Sequence, residues 1–448
     1  MGLITKKPKK VKMKTRGSGG GSGVETSPLR PQHVPKRPPC NIGCPNHNPI
    51  RKMLMAIAQT DKYERTPEES FRLAWETFAE TTPFPAICGR VCPHPCETRC
   101  NREAKEGPVT INNVERFIGD FAIEHDIPFK KLTDEEHPEK IAVIGSGPGG
   151  MSCAYQLVRR GYKVTVFEAE DKPGGMLRWG IPDYRLPQEV LDAEYKRLED
   201  FGVVIKLNTR VGTDISLDQL REEYKVIFAA PGAHKGRRLG IKGEELSSFY
   251  TGTDFLHQFA DGKELLVGDH VVVVGGGDTA IDAARVARRL GSEATILYRR
   301  TRQEMPAIDE EIVGAEEEDV KFHYLAIPVE ITDAGNSHIN IKCQRMELGD
   351  PDSSGRRRPV PVEGDYFDLK ASTLVAAISQ EPEFEGLEEI GNPKDWIKVD
   401  ENFKCETPNV YGGGDAYNLG LVIDAIYHGR RAALAIDADL RGTEIPKE

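Results

Sequence analysis

The sequence predicts an α/β protein with two Rossmann-like dinucleotide-binding domains, one inserted in the other, preceded by a small helical domain. Three observations lead to this fold class. A buried strand, a glycine-rich turn, a helix and a second strand occur twice, beginning near residues 140 and 270. Six of the nine cysteines lie in a segment without strand alternation, between Cys40 and Cys100. The 448 residues accommodate about three domains.

The charge of the chain is uneven, and it argues against some classes of function. The net charge is −11, yet residues 1–39 carry ten Lys or Arg and one acid, which leaves −20 for the remainder. A body this acidic would repel a nucleic-acid backbone. No segment reaches the ~20 consecutive apolar residues of a membrane helix, and no apolar run of a signal peptide follows the basic N-terminus. We therefore expect a cytoplasmic protein with no membrane span and no nucleic-acid partner.

The first two predicted domains differ in composition. Residues 1–39 are rich in Lys, Gly, Ser and Pro and contain the run GSGGGSG, which predicts a disordered basic tail. This tail is either a partner-binding arm or simply a solvated end. Residues 40–137 contain apolar residues at helical spacing in PIRKMLMAIAQ, EESFRLAWETFAE and NNVERFIGDFAIEH. We predict a helical domain built around the cysteines.

The first repeated unit has the pattern of a dinucleotide-binding turn. The strand KIAVIG leads into a helix through the glycines Gly145, Gly147, Gly149 and Gly150. Such glycines let the backbone approach a pyrophosphate closely, and the helix N-terminus supplies N–H donors to it. Glu168 ends the next strand, where a carboxylate can accept hydrogen bonds from both ribose hydroxyls.

The second unit repeats this pattern with one change. Its turn comprises Gly275, Gly277, Asp278, Thr279 and Ala280. A tyrosine stands where the first unit has its glutamate, and Arg299 and Arg300 follow it. Guanidinium groups at this position can bind the 2′-phosphate of NADP(H); the alternative is that the two arginines only mark an exposed strand end. We expect NADP(H) here, with NAD(H) as the alternative, and a nucleotide with a free ribose on the first unit. Two such sites in one chain imply one flavin and one nicotinamide cofactor.

Three segments resemble the glutamate synthase small-subunit family. They are GSGPGG…FEAEDKPGGMLRWGIPDYRLP, VVVVGGGDTAIDAAR…YRRTRQEMPA and YGGGDAYNLGLVIDAIYHGRRAA. The family includes the flavin subunit of NADH-dependent ferredoxin:NADP oxidoreductases and the N-terminal part of dihydropyrimidine dehydrogenase. The resemblance covers roughly residues 38–440. It implies an FAD domain in two parts, residues 138–250 and 376–448, with an NAD(P)H domain at 251–375 between them.

The resemblance also implies which further residues line the FAD. These are Gly174, Gly175, Met176 and Leu177. Asp415, which follows Gly414 in the GGGD turn, would hold the ribityl or pyrophosphate part of the cofactor. From the residues alone, this turn could be nothing more than a tight turn.

The cysteine-rich segment has the pattern of iron–sulfur ligands. The cysteines are Cys40, Cys44, Cys88, Cys92, Cys96 and Cys100. Cysteine followed by proline, in dense short spacings, is typical of 4Fe–4S ligation. Thiolates also suit zinc, although a structural zinc site usually pairs two short cysteine knuckles.

The family resemblance implies two clusters in this domain. Cys44, Cys92, Cys96 and Glu115 would hold the cluster nearer the flavin, and Cys40 and Cys100 would belong to an outer one. Residues 1–39 offer no cysteine to complete the outer cluster, and Cys88 stands where the family usually needs no ligand. Three outcomes stay open: one cluster only, a second completed by Cys88 or a non-cysteine group, or a second completed by a partner chain. If Glu115 is not a ligand, we expect it to be a helix residue that faces the solvent.

The predicted function is that of an NAD(P)H-dependent electron-transfer oxidoreductase. Electrons would pass between NADPH, FAD and a 4Fe–4S cluster, in either direction, to a partner subunit or a ferredoxin-like acceptor. The cofactors carry this chemistry, so we expect no catalytic acid or base from the protein. The alternatives are a stand-alone NAD(P)H diaphorase, which needs no cluster, and a non-catalytic assembly subunit of a redox complex.

Overall fold

The computed structural model describes residues 37–265 and 267–446. The predicted basic tail lies outside this part of the chain except for its last three residues. The α-helices are α1 (Pro39–Gly43), α2 (Ile50–Ala58), α3 (Pro67–Ala79), α4 (Pro85–Val91), α5 (Glu103–Glu106), α6 (Ile111–Glu124), α7 (Pro148–Val158), α8 (Met176–Trp179), α9 (Gln188–Phe201), α10 (Leu217–Glu223), α11 (Gly252–Ala260), α12 (Asp278–Arg289), α13 (Asp309–Glu317) and α14 (Val422–Arg441). The strands are β1 (Lys140–Ile144), β2 (Lys163–Phe167), β3 (Val204–Lys206), β4 (Val226–Ala229), β5 (Lys235–Gly236), β6 (Phe249–Thr251), β7 (His270–Val274), β8 (Glu293–Tyr298), β9 (Lys321–Tyr324), β10 (Ala326–Gly335), β11 (His338–Pro351), β12 (Arg357–Ala371), β13 (Thr373–Ala376), β14 (Gln380–Glu381), β15 (Gly391–Asn392), β16 (Trp396–Ile397) and β17 (Val410–Gly412).

Two parallel five-stranded sheets form the two nucleotide-binding domains. The first has the strand order β17-β4-β1-β2-β3, and the second has the order β6-β13-β7-β8-β9. The chain leaves the first sheet after β4, builds the second sheet, and returns to pair β17 with β4. This order confirms the predicted pair of Rossmann-like domains, with one inserted in the other.

The register brings each glycine turn to the end of the neighbouring strand. In the first sheet Ile144, the last residue of β1, pairs with Phe167, which precedes Glu168. In the second sheet Val274 pairs with Leu297, close to the end of β8. The turn after β1 and the turn after β7 therefore face equivalent positions of the next strand, as expected for two copies of one βαβ unit.

One hydrophobic core joins the cysteine-rich helices to the first sheet. It contains Trp75, Phe84 and Cys88 together with Val143 of β1 and Ile426 of α14. The second sheet has separate cores on its two faces. Because they share a core, the cysteine-rich helices are fixed against the first nucleotide-binding domain.

Candidate functional site

The first glycine turn is shaped by close backbone contacts on two sides. Gly145 has φ of +90°, and a Cβ atom there would lie 2.3 Å from the carbonyl oxygen of Ala230. A Cβ atom on Gly150 would lie 2.0 Å from the carbonyl oxygen of Gly145. A Cβ atom on Gly147 would meet no atom of the described residues within 4 Å. The turn is thus closed toward the protein and open above Gly147, where a pyrophosphate would lie.

Glu168 lies at the end of β2 and is almost fully buried. Its Oε2 accepts hydrogen bonds from the backbone N–H of Ser146, at 3.0 Å, and from the Ser146 hydroxyl. Its Oε1 accepts from the backbone N–H of Glu170 at 2.9 Å. Ser146, which orients this carboxylate from within the turn, is not among the predicted site residues.

Two further segments converge on the same turn. Gly174 and Gly175 both have positive φ, and a Cβ atom on Gly175 would lie 3.0 Å from Cα of Gly147. Met176 and Leu177 follow as the first turn of α8. On the other side, a Cβ atom on Gly149 would lie 3.5 Å from Cα of Gly414, which also has positive φ. The structure therefore brings together all the predicted FAD-lining segments.

Asp415 follows Gly414 and lines the cavity beside the first turn. Burial raises the pKa of its carboxyl to about 6, although a hydrogen bond from the backbone of Gly420 opposes the rise. Helix α14 begins seven residues later, and its Val422 and Ala425 line the same cavity. The GGGD turn is thus a wall of the candidate flavin site as well as a turn.

A cavity of about 590 Å³ connects both glycine turns with the cysteine-rich helices. Its wall includes the first glycine turn and Glu168 on one side, and Asp278 of the second turn on another. Val91 and Pro93, the sequence neighbours of Cys92, line it as well. The volume is within the range of ligand pockets. The two predicted nucleotide sites and the predicted iron–sulfur domain therefore all contribute residues to the wall of this one cavity.

The second turn repeats the geometry of the first. Gly275 has φ of +151°, and a Cβ atom on Gly276 would lie 2.4 Å from the ring of Tyr298. Around Gly277 the space is open, since among the described residues a Cβ atom would have only Pro306 within 4 Å, at 3.9 Å. Asp278 begins α12 and accepts a hydrogen bond of 3.0 Å from the backbone N–H of Ile308. Thr279 lines the cavity, and Ala280 is fully buried.

The two arginines after β8 point to different surroundings. Arg299 is exposed and makes no hydrogen bond or ion pair with the described part of the chain. Arg300 is buried, and its guanidinium donates to Asp352 at 2.7 Å and to the carbonyl oxygen of Arg357 at 2.7 Å. Both partners flank the connection between β11 and β12. Of the predicted pair, Arg299 has the guanidinium that is available to a ligand, whereas Arg300 secures the hairpin beside it.

We predict that Arg299→Ala raises the KM for NADPH roughly 10- to 100-fold, since a charge-assisted contact is worth roughly 1.5–3 kcal/mol. The KM for NADH should change little, because NADH has no 2′-phosphate. Steady-state dye reduction with both nucleotides measures the effect. Lys225→Ala is a control, because Lys225 is an exposed cation of the first domain whose side chain, like that of Arg299, makes no hydrogen bond or ion pair with the described part of the chain. An equal loss with NADPH and NADH would contradict the assignment.

Four cysteines and one glutamate form an inner group in the cysteine-rich domain. They are Cys44, Cys88, Cys92, Cys96 and Glu115. Burial raises the pKa of each of these thiols, to about 11 for Cys44, and the Glu115 carboxylate raises it further. Buried thiols ionise only when a nearby cation compensates the negative charge of the thiolate. A metal centre supplies that positive charge.

Glu115 enters this group because α4 and α6 cross closely. A Cβ atom on Gly89 would lie 2.3 Å from the backbone nitrogen of Arg116, and one on Gly119 would lie 2.2 Å from that of Ala86. Glu115 is 7% exposed rather than solvent-facing, and its Oε1 has no hydrogen-bond partner among the described residues. Burial raises its pKa strongly. An unpartnered buried acceptor beside four thiols fits the donor set of an iron–sulfur cluster.

Cys40 and Cys100 form a separate outer pair. Both are half-buried, and the pKa of Cys40 is raised by burial and by the nearby Cys100 thiol. Within the described ranges, no three His, Cys, Asp or Glu side chains converge closely enough to hold a single metal ion. The seven predicted ligands thus divide into an inner group of five and an outer pair.

A buried ion pair that no sequence motif marks joins the two nucleotide-binding domains at the cavity wall. Arg185 donates to Asp282 of α12 at 2.7 Å and lies 3.0 Å from Glu311 of α13. Tyr184 donates to the same aspartate at 3.1 Å. Burial raises the pKa of Asp282 to about 7, although Arg185 opposes the rise. These contacts fix the second domain against the segment that follows the predicted FAD-lining residues.

Comparison with known families identifies two regions. Residues 139–429 match the family described as pyridine nucleotide-disulphide oxidoreductase. Residues 34–127 match the family described as dihydropyrimidine dehydrogenase domain II, 4Fe–4S cluster. These matches confirm the predicted NAD(P)H-dependent oxidoreductase class and, with it, the predicted FAD, NADP(H) and iron–sulfur cofactors.

Several curated proteins are similar along most of this chain. It is 39% identical to the beta subunit of NADP(+)-dependent formate dehydrogenase from Moorella thermoacetica, over 91% of this chain and 61% of that protein. It is 40% identical to the beta subunit of NADPH-Fe(3+) oxidoreductase from Geobacter sulfurreducens, over 77% of this chain and 51% of that protein. It is 33% identical to the glutamate synthase (NADPH) small chain of Escherichia coli, over 88% of this chain and 87% of that protein. The resemblance to the glutamate synthase small-subunit family is confirmed.

Solved structures support the fold. FprA of Mycobacterium tuberculosis in complex with NADPH aligns with a TM-score of 0.58 at 20% identity, over 68% of this chain and 85% of FprA. Thioredoxin reductase of Lactococcus lactis aligns with a TM-score of 0.52 at 20% identity, over 68% of this chain and 99% of that protein.

In the part of the chain that the structure describes, no helix has the length and apolarity needed to cross a membrane.

Proposed function

Since the chain belongs to the pyridine nucleotide-disulphide oxidoreductase family, we propose that it passes electrons between NADPH and a partner protein through FAD and a 4Fe–4S cluster. The cavity that both glycine turns share with the neighbours of Cys92 carries this proposal. A nucleotide on each turn can extend into the same space, and the flavin end of that space touches the cysteine-rich domain. When bound, FAD accepts a hydride and passes electrons on singly.

In this proposal the first domain holds FAD. The backbone of the turn at Gly147 approaches the pyrophosphate, and α7 directs its N-terminal N–H groups toward it. Glu168 accepts the hydrogen bonds of the adenosine ribose, and Ser146 keeps its carboxylate in place. Asp415 binds the ribityl or pyrophosphate part from the opposite wall. Gly175, Met176, Leu177 and Val422 line the cavity and would keep water from a bound flavin.

The second domain holds NADPH in the same way. The turn around Gly277 receives its pyrophosphate, and the guanidinium of Arg299 pairs with its 2′-phosphate. Asp278 and Thr279 lie at the N-terminus of α12 and border the shared cavity. The ion pair of Arg185 and Asp282 holds the domains in the orientation in which both turns face that cavity.

The inner group of the cysteine-rich domain holds one 4Fe–4S cluster. Cys44, Cys92, Cys96 and Glu115 are its proposed ligands, with Cys88 as the alternative to Glu115. Cys40 and Cys100 lie outside this group. They bind either no cluster, or a second one that Cys88, a non-cysteine group or a partner chain completes. The chain spans about 61% and 51% of the first two relatives, so their whole activities are not transferred to it. Those relatives are named as beta subunits, which favours a partner subunit or a ferredoxin-like acceptor as the redox partner.

The proposal is tested with anaerobically reconstituted protein. We expect flavin and iron–sulfur absorbance, loss of the flavin absorbance when NADPH is added, and NADPH-dependent reduction of an added ferredoxin. A stand-alone diaphorase would reduce a dye equally well with and without the cluster, and would not reduce the ferredoxin. An assembly subunit would bind neither cofactor. Either of these results would overturn the proposal.

A further inference from the structure

Helix α9 of the first nucleotide-binding domain contacts the cysteine-rich domain with a buried carboxylate. Glu194 has no exposed surface, and its Oε1 accepts a hydrogen bond of 3.1 Å from the backbone N–H of Ala86. Ala86 is the second residue of α4, the helix that carries Cys88 and ends just before Cys92. The start of the cysteine helix is therefore bound directly to the flavin domain.

The charge of Glu194 is compensated by an arginine one turn along the helix. Arg197 donates to Oε2 of Glu194 at 3.1 Å and to the carbonyl oxygen of Ile127 at 2.7 Å. Its guanidinium carbon lies 4.8 Å from the ring centroids of both Trp75 and Phe129, which belong to the cysteine-rich side of the interface. Breaking a buried ion pair by removing one partner is costly. The pair of Glu194 and Arg197 therefore holds α9 against the cysteine-rich domain.

The residue next to Glu194 contacts the flavin turn. Tyr195 donates from its hydroxyl to the carbonyl oxygen of Ser146 at 2.7 Å, and its ring stacks on Phe84 with centroids 5.4 Å apart. Ser146 is the residue that orients Glu168. Two adjacent residues of one helix thus hold the dinucleotide turn and the beginning of the cysteine helix.

We propose that Glu194 and Tyr195 are positioning residues that fix the distance from flavin to iron–sulfur cluster and thereby its electron-transfer rate. This inference rests on the proposed function. The step moves one electron from reduced flavin to oxidised cluster, with no bond made or broken between them. Its rate depends on separation and orientation, so a small displacement of α4 slows it.

The test compares Glu194→Gln and Tyr195→Phe with Glu199→Gln in the reconstituted holoprotein. Glu199 is exposed on the same helix, so its variant carries the same charge change as Glu194→Gln. In Glu194→Gln we expect an unchanged rate of flavin reduction by NADPH and a rate of cluster reduction about tenfold lower. Tyr195→Phe should also slow the second phase, and the control should match the wild type.

Amide hydrogen exchange gives a second readout that does not depend on turnover. In cofactor-free protein, Glu194→Gln should speed exchange in α4 and the control should not. Wild-type cluster reduction in both variants, or unchanged exchange in α4, would overturn the positioning role. If NADPH fails to reduce the flavin of the wild type, the proposed function fails instead, and the exchange measurement still tests the role of α9.

Discussion

Replacing Cys92 by serine should separate the two halves of the electron path. The reconstituted variant should keep its flavin absorbance and its reduction by NADPH, because the nucleotide turns are on other elements. Reduction of an iron–sulfur acceptor should fall at least about 100-fold, since loss of even an outer-shell partner of a metal commonly costs 10–100-fold. Stopped-flow absorbance and ferredoxin reduction measure the two halves separately.

The location of Cys92 is the reason for this large effect. It follows α4 directly and belongs to the inner group of thiols, and its sequence neighbours Val91 and Pro93 line the cavity. Cys343→Ser is the matched control, because Cys343 is a fully buried cysteine of β11 in the second domain. Wild-type ferredoxin reduction by the Cys92 variant would show that electrons do not leave through the inner group.

The glycines of the first turn should respond differently to one added methyl group. Gly147→Ala should leave the free energy of unfolding of the cofactor-free protein unchanged, because its Cβ meets no atom of the described residues and its φ of −64° suits any residue. The methyl group fills the space proposed for the pyrophosphate, so FAD affinity should fall about 100-fold or more. Thermal unfolding of the apoprotein and flavin titration measure the two effects.

Gly150→Ala is the comparison that makes this result specific. Its Cβ would lie 2.0 Å from the carbonyl oxygen of Gly145, so the backbone must shift. We expect the apoprotein itself to lose roughly 1–3 kcal/mol, as in overpacked cores, together with FAD affinity. If Gly147→Ala bound FAD as tightly as the wild type, the pyrophosphate would not lie over this turn.

The parts of the fold that were predictable are governed by local patterns. The strand–turn–helix–strand units at residues 140 and 270 are recognisable because a continuous apolar strand, the glycine spacing and helix periodicity occur within about 30 residues. The closing segment with its GGGD turn was placed beside the flavin by family resemblance alone. Only the structure shows that β17 pairs with β4 and so brings Gly414 against Gly149.

What the sequence did not reveal depends on contacts between distant segments. Arg300 looks equivalent to Arg299, but Asp352 and the carbonyl oxygen of Arg357, more than 50 residues downstream, bind it. Glu115 is polar in an amphipathic helix, and only the close crossing of α4 and α6 buries it. Glu194 and Ser146 have no motif of their own. The importance of Glu194 lies in its bond to Ala86 of the cysteine-rich domain, and that of Ser146 in its bonds to Glu168 and Tyr195, which are distant in sequence but belong to the same domain.

The central claim is that electrons pass from NADPH to the flavin and then to the inner cysteine group. Rapid mixing of oxidised, anaerobic holoprotein with NADPH tests this order most directly, with absorbance reporting the flavin and freeze-quench EPR reporting the cluster. We predict that flavin reduction comes first, that the signal of the reduced cluster follows, and that both are faster than turnover with a ferredoxin. A cluster signal that appears more slowly than turnover, or never appears while the ferredoxin is reduced, would contradict the account.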